Sequence, residues 1–241
     1  MRIFLAGASG AIGRRLSPLL LAAGHIVAGT TRSAAKAGDL RARGIEAVVV
    51  DVFDARSLRD AVMRERPEIV IHQLTDLPQT FDRERLAASL VDNARLRIEG
   101  TANLLAASLA AGAQRLIAQS IAFAYAAGPE PHSESDPLAS SEGDSPEAAT
   151  AGGVRGLENA VINTLGMVGI VLRYGRLYGP GTWNRPNARA PLHVDAAAHA
   201  ALLAVTRGAS GVYNIAEDDG AVSIGKARVE LGFDPAFRLP G

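Results

Sequence analysis

The chain has 241 residues, of which 48% are hydrophobic, and a formal net charge of zero. That balance supports one large core and argues against an electrostatically driven nucleic-acid partner or an anionic membrane surface. Cysteine is absent, which removes disulfides, thiolate catalysis and thiol-ligated metals, and the five histidines are scattered without metal-ligand spacing. No apolar run is long enough to span a bilayer, and Arg2 leads into a strand rather than a signal peptide, so the expected location is the cytoplasm.

In chain order, a short apolar strand (Ile3, Phe4, Leu5) meets three glycines spaced three apart, Gly7, Gly10 and Gly13, with Ser9, Ala11 and Ile12 between them. An amphipathic stretch over 12–23 comes next. This is a strand, a tight turn and a helix whose first turn lies bare. Bare N–H groups and the positive end of the helix dipole make an anion site, and glycine lets a pyrophosphate approach the backbone. Residues 25–30 read as a second strand and 33–43 as a helix closed by Gly44. A third strand spans 47–50, with Asp51 just past it. Asp54 caps a helix that Pro67 ends, and 69–72 form a fourth strand leading to Leu74 and Thr75. Strands alternating with helices of this length predict an α/β fold, a doubly wound parallel sheet with ligands past the carboxyl ends of its strands.

The end of the second strand sets the choice of cofactor. An acidic residue there would favour the ribose 2′-hydroxyl of NAD. This chain instead offers Thr31, Arg32 and Ser33, with Lys36 one helical turn on. A guanidinium and two hydroxyls suit a 2′-phosphate, so NADP (NADPH) is expected in preference to NAD.

Later segments carry a resemblance. The Gly7–Gly13 turn, the Gly29–Ser33 turn, Asp51-Val52 and the Ile71-His72-Gln73-Leu74-Thr75 run are followed by Asn93, seven residues before Gly100-Thr101. Then come Ser120 through Tyr125, the Leu172–Gly181 run, His193-Val194-Asp195 and Tyr213-Asn214. In this order, over nearly the whole chain, they resemble the short-chain dehydrogenase/reductase superfamily in its extended and atypical, epimerase/dehydratase-like branch. The resemblance implies a single NAD(P)-binding, Rossmann-like domain over 1–241, with 175–241 contributing a small and reduced substrate-binding lobe. It also implies roles. Gly7, Ser9, Gly10, Ala11, Ile12 and Gly13 would hold the pyrophosphate, and Arg32 between Thr31 and Ser33 would meet the 2′-phosphate. Asp51 and Val52 would flank the adenine. Leu74 would pass the nicotinamide-side ribose, Thr75 and Asn93 would join the cofactor site, and Tyr174 would run past the nicotinamide.

The redox members of that superfamily pair a tyrosine with a lysine four residues later, so that the cation lowers the phenol's pKa. Here the two lysines are Lys36 and Lys226, and no tyrosine has a lysine four residues on. Placing 148–165 on the active-site helix puts Thr150 at the tyrosine position and Val154 at the lysine position. The usual hydroxyl position after the fifth strand holds Ile121. Ser120, one residue early, would face the other side unless a bulge intervenes. The catalytic candidates are therefore Tyr125, whose hydroxyl could reach the cleft, and Ser120, with no metal.

Three readings are open: an oxidoreductase or epimerase acting on a small, uncharged organic substrate with substitute acids; a non-redox cyclase, isomerase or dehydratase on the same fold; and an NADP-sensing regulatory protein without catalysis. The acidic, Pro- and Ser-rich stretch 128–147 predicts a mobile lid, and Asp195 is expected to cap the helix running to Thr206. The long helical pattern over 83–111, with Leu86, Leu90, Leu104, Leu105 and Leu109, predicts a homodimer surface.

Overall fold

A computed structural model describes residues 1–77 and 83–240, the side chains of 83–87 excepted. Seven parallel strands make one sheet: β1 (Arg2–Ala6), β2 (Ile26–Thr31), β3 (Glu46–Val49), β4 (Ile69–His72), β5 (Arg115–Ile121), β6 (Val168–Tyr174) and β9 (Gly211–Ile215). Their spatial order is β3-β2-β1-β4-β5-β6-β9. The direction of winding reverses between β1 and β4, and the crevice outside the strand ends at that reversal is where such sheets bind ligands.

Strict alternation along each strand sends side chains to two cores. Ile3, Leu5, Ile69, Ile71, Ile117 and Leu172 pack under α1 (Ala11–Ala22) and α7 (Val194–Ala204). Phe4, Ala6, Val70, Leu116, Ala118 and Val171 pack under α3 (Ala55–Glu65), α5 (Thr101–Ala110) and α6 (Pro146–Ile162). Apolar residues on both faces are what a sheet covered by helices on both sides requires. The expected second and third strands each lie one residue from their observed positions, Ile26–Thr31 and Glu46–Val49. Ser33 caps α2 (Ala34–Ala42) and Asp54 caps α3, each side chain accepting a backbone N–H.

The 83–111 pattern is helical but not uniform. It comprises α4 (Arg83–Arg95), a π-helical turn at Leu96–Gly100, and α5. Leu104 and Leu105 are buried in the sheet-facing core, whereas Leu109 is exposed; Leu86 lies outside the described side chains. The stretch from 175 onward returns mostly to the main body, with β9 as an edge strand and α7 packed on α1. What stands apart is a two-stranded sheet of β7 (Arg176–Tyr178) and β8 (Pro191–His193). The side chain capping α7 is His193, which accepts the Asp195 N–H. Asp195 instead pairs with Arg15, at 2.5 and 3.2 Å, and accepts Leu239 N–H at 3.0 Å. Sequence spacing alone could not separate two polar residues two positions apart.

The acidic stretch is pinned rather than free. Tyr125 and Leu138 form an antiparallel bridge, and His132 and Val222 a parallel one. Arg155, on α6, donates to the carbonyls of Leu138 and Ala139. Those fixed partners oppose the hinge motion that a lid needs.

Candidate functional site

A cleft of about 1580 Å³ runs along the carboxyl ends of the strands, enough for a dinucleotide with a substrate beside it. Its first wall is the turn between β1 and α1. Gly7 has φ of +92°, and a Cβ on it would meet the Gln73 carbonyl oxygen at 2.6 Å. A Cβ on Gly13 would lie 2.3 Å from the Gly7 oxygen. These two glycines are required by the protein's own packing. Gly10 differs: a Cβ there would meet only the Gly7 oxygen, at 3.4 Å, and otherwise faces open cleft. Gly10 is also the N-cap of α1, and it offers no side-chain cap. The first N–H groups of a 12-residue helix thus face the space that Ser9, Gly10, Ala11 and Ile12 line. A pyrophosphate fits that cradle.

At one end of the cleft lie Thr31, Arg32, Ser33, Lys36, Arg14 and Arg43. Arg32 is 60% exposed and its guanidinium meets Asp76 at 3.1 Å, a surface pair that a bound phosphate could displace at little cost. Val52 and Phe53 line the neighbouring wall, with Arg95 stacked 4.2 Å over the Phe53 ring. Asp51 is not among the residues walling the cleft; its carboxylate accepts Phe53 N–H and shapes that turn.

The floor is formed by β4 and the residues just past its end. His72 is buried, its Nε2 3.2 Å from Thr101 Oγ1, and its Nδ1 accepts the Leu74 N–H at 3.2 Å. Burial, reinforced by nearby Arg97, lowers its pKa to about 4, so the ring is a neutral brace for Leu74. Leu74 and Thr75 line the cleft. Asn93 also lines it, while its side chain accepts Asp76 N–H and donates to the Ser89 carbonyl. Gln73 donates to the Tyr174 hydroxyl at 3.2 Å, and burial holds that phenol above its ordinary pKa. The other end of the same amide, Gln73 Oε1, is buried in the cleft wall with no partner among the described residues. An unpaired buried acceptor of this kind is costly unless a ligand donor completes it. The nicotinamide carboxamide is such a donor.

The far end of the cleft is arranged differently. The β5–β6 ladder stays regular through Ser120↔Arg173 and Ile121↔Tyr174, so no bulge shifts Ser120. By alternation Ser120 shares the face of Leu116 and Ala118, toward α6, and its hydroxyl donates to Glu158 Oε1 at 2.7 Å. Arg173 grips the same carboxylate through Nε at 2.9 Å and Nη2 at 2.6 Å. Burial alone would lower Arg173, but Glu158 outweighs it and holds the cation above its ordinary value. The third nitrogen of Arg173 reaches the Tyr125 hydroxyl at 2.8 Å, and that hydroxyl donates to Asn214 Oδ1 at 2.6 Å. The Tyr125 ring stacks on His132 and does not belong to the cleft wall. Burial raises its pKa. The structure therefore joins Ser120 and Tyr125 through one buried network, in which Ser120 still borders the cleft with its hydroxyl committed to Glu158, while Tyr125 lies behind the wall. The hydroxyl that sequence spacing aimed at the cleft points away from it.

Helix α6 contains neither tyrosine nor lysine. Thr150 and Ala151 face the cleft, and the Thr150 hydroxyl is spent on the Pro146 carbonyl. Trp183, the only tryptophan, lies on the rim. Two cations also line this end: Arg176, within the Leu172–Gly181 run, and Arg97, which no motif singled out. Arg176 stacks 4.2 Å over Phe123 and is partly desolvated, which lowers its pKa. Arg97, on the π-helical turn, has Nη1 buried without a partner among the described residues. Arg97 stands among other charged residues, Asp92, Arg95 and Glu99, so no local pattern marked it.

The model of the NAD dependent epimerase/dehydratase family matches residues 3–201. A Streptomyces protein named 3-diazoavenalumate denitrifying reductase is 41% identical over 231 residues, which are 95% of this chain and 72% of that protein. Among solved structures, UDP-glucose 4-epimerase from Thermotoga maritima with UDP-glucose superposes with a TM-score of 0.80 at 18% identity, covering 99% of this chain and 94% of the other. A dTDP-glucose 4,6-dehydratase from Streptomyces venezuelae with NAD bound gives 0.76 at 21% identity, covering 99% and 93%. At such identities the two structures speak for the shared fold.

Proposed function

Because the chain belongs to the NAD dependent epimerase/dehydratase family, its chemistry turns on what faces the nicotinamide, and we propose that it is an NADPH-dependent reductase of small diazo compounds, releasing dinitrogen. The 41% identity to a denitrifying reductase of a diazo compound is the observation that carries this reading. The reacting end of the cleft supports it on independent grounds. Epimerisation, dehydration and carbonyl reduction all need a group that moves a proton at the reacting carbon or oxygen. In the cleft wall beside β5 and α6 the Ser120 and Thr150 hydroxyls are engaged in fixed hydrogen bonds, to Glu158 and to Pro146. When bound, the reduced cofactor would supply a hydride, and R–N₂⁺ plus hydride gives R–H plus N₂, with the C–N bonding pair leaving with dinitrogen. For a diazonium acceptor that overall change requires no proton from the protein; a neutral diazo compound first takes up one proton from solvent to become that diazonium.

The residues of this chain then have three tasks: to hold the cofactor, to align the acceptor and to keep water out. The α1 N-terminus and Gly10 receive the pyrophosphate. Arg32, Ser33 and Lys36 receive the 2′-phosphate, which favours NADPH over NADH. Gln73 Oε1 fixes the carboxamide and Leu74 packs beside the ribose. Trp183 and Phe123 offer flat walls for a planar acceptor. The test is incubation with NADPH deuterated at the transferable position and a panel of diazo compounds, aldehydes and ketones. The expected result is deuterium at the former diazo carbon with equimolar dinitrogen. Turnover of carbonyl compounds but of no diazo compound would overturn the proposal.

A further inference from the structure

Arg97 sits where α4 and its π-helical continuation press closest to α6. A Cβ on Gly153 would lie 2.8 Å from Ala94, and one on Gly156 would lie 2.9 Å from Ile98, so the glycines of α6 are what let this turn approach. The approach places Arg97 against a helix that has no cation facing the cleft: Val154 is fully buried, and Arg155 is tied to the carbonyls of Leu138 and Ala139. Arg97 feels the attraction of Glu158, but that carboxylate is already shared by Arg173 and Ser120. Burial brings the guanidinium down to about 10, which leaves it charged at neutral pH. It is therefore a half-buried cation that lines the cleft and whose Nη1 is buried with no partner among the described residues.

A buried N–H of a charged group without an acceptor is costly, so a fold retains one where a ligand completes it. The cofactor's anionic groups are provided for elsewhere, by the α1 N-terminus and the Arg32 end. What enters beside α6 is the substrate. A cationic diazonium carbon near Arg97 would also be repelled unless the same molecule brought a compensating negative charge. We propose that Arg97 is a specificity-determining residue that receives a carboxylate of the substrate, so that the enzyme takes carboxylate-bearing rather than neutral acceptors. The inference rests on the reductive reading above only for the identity of the reacting group, and it replaces the expectation of an uncharged substrate.

The test uses binding, so that it stands apart from whether any diazo compound is turned over. The NADP⁺-loaded protein is titrated by calorimetry with cinnamate and with its neutral isostere cinnamamide, in the wild type, Arg97→Gln and Arg97→Lys. Cinnamate is expected to bind at least about tenfold tighter than cinnamamide in the wild type. Arg97→Gln should abolish that difference while leaving NADPH affinity within about twofold, and Arg97→Lys should restore part of it as a point charge. Equal affinities of the two probes in the wild type, or binding of neither, would overturn the proposal. So would a variant that loses NADPH affinity and keeps the preference for the acid. Melting temperatures of the two variants separate a folding defect from a binding one, since a folded Arg97→Gln protein that retains the preference refutes the role outright.

Discussion

The two ends of one cleft treat most of their polar groups in opposite ways, Arg97 at the second end excepted. At the amino-terminal turn the protein leaves hydrogen-bonding capacity open: the first N–H groups of α1 lack a cap, Gly10 faces empty space, and Gln73 Oε1 has no partner among the described residues. At the end of β5 the hydroxyls have been drawn inward, with Ser120, Glu158, Arg173, Tyr125 and Asn214 satisfying one another. Open groups are an invitation to a ligand, whereas closed ones hold a fold together. Residue type alone does not distinguish a reagent from a brace; the distinction lies in whether its hydrogen bonds are already made.

The strongest challenge to that contrast is to open the closed end. Glu158→Ala strands Arg173 in the core and should cost about 3–5 kcal/mol, read as a drop in the denaturation midpoint. A small change would mean the network is slack enough to act on a substrate. Second comes His72, whose ordinary value of 6.5 falls to about 4 in the fold. Above pH 6.5 the ring is neutral in both states and its contribution is constant. As pH falls from 6.5 toward 4 the unfolded chain takes up a proton that the fold refuses, so stability is lost, by up to about 3 kcal/mol. Denaturation at several pH values should show this slope, and His72→Gln should flatten it.

The open end is probed by Arg32→Ala, which should weaken NADPH about tenfold, some 1.4 kcal/mol, and leave NADH unchanged. Equal losses for the two coenzymes in calorimetry would assign Arg32 to general charge rather than to the 2′-phosphate. The smallest effect belongs to the residues that spacing had nominated as acids. Tyr125→Phe and Ser120→Ala should each leave turnover of the folded enzyme within about twofold. A large loss confined to Tyr125→Phe would restore it as a proton donor and reverse the contrast.

How far each end could be read from residues depends on the same physics. The glycine turn is local: its strand, its tight bend and its bare helix all lie within some twenty neighbouring positions, so their spacing carries the geometry. Strand faces were equally readable, because alternation is a property of the chain itself, and only boundaries moved by a residue. The closed network joins partners far apart in the chain, 38 residues for Ser120 and Glu158 and 89 for Tyr125 and Asn214. No local pattern announces that Arg173 will arrive between them. The same holds for the acidic stretch, whose composition spoke for mobility while its partners Tyr125, Val222 and Arg155 lay outside it. Arg97 was missed for the converse reason: the partner proposed for it is a substrate, which the chain does not contain.

The π-helical turn at 96–100 makes that cation's direction a matter of counting. Removing one residue of that turn after Arg97 would return the segment to ordinary α-helical winding and rotate everything upstream by about 100° relative to α5. Arg97 would then leave the cleft without being substituted, and the carboxylate preference proposed for it should be lost while the nucleotide cradle stays whole.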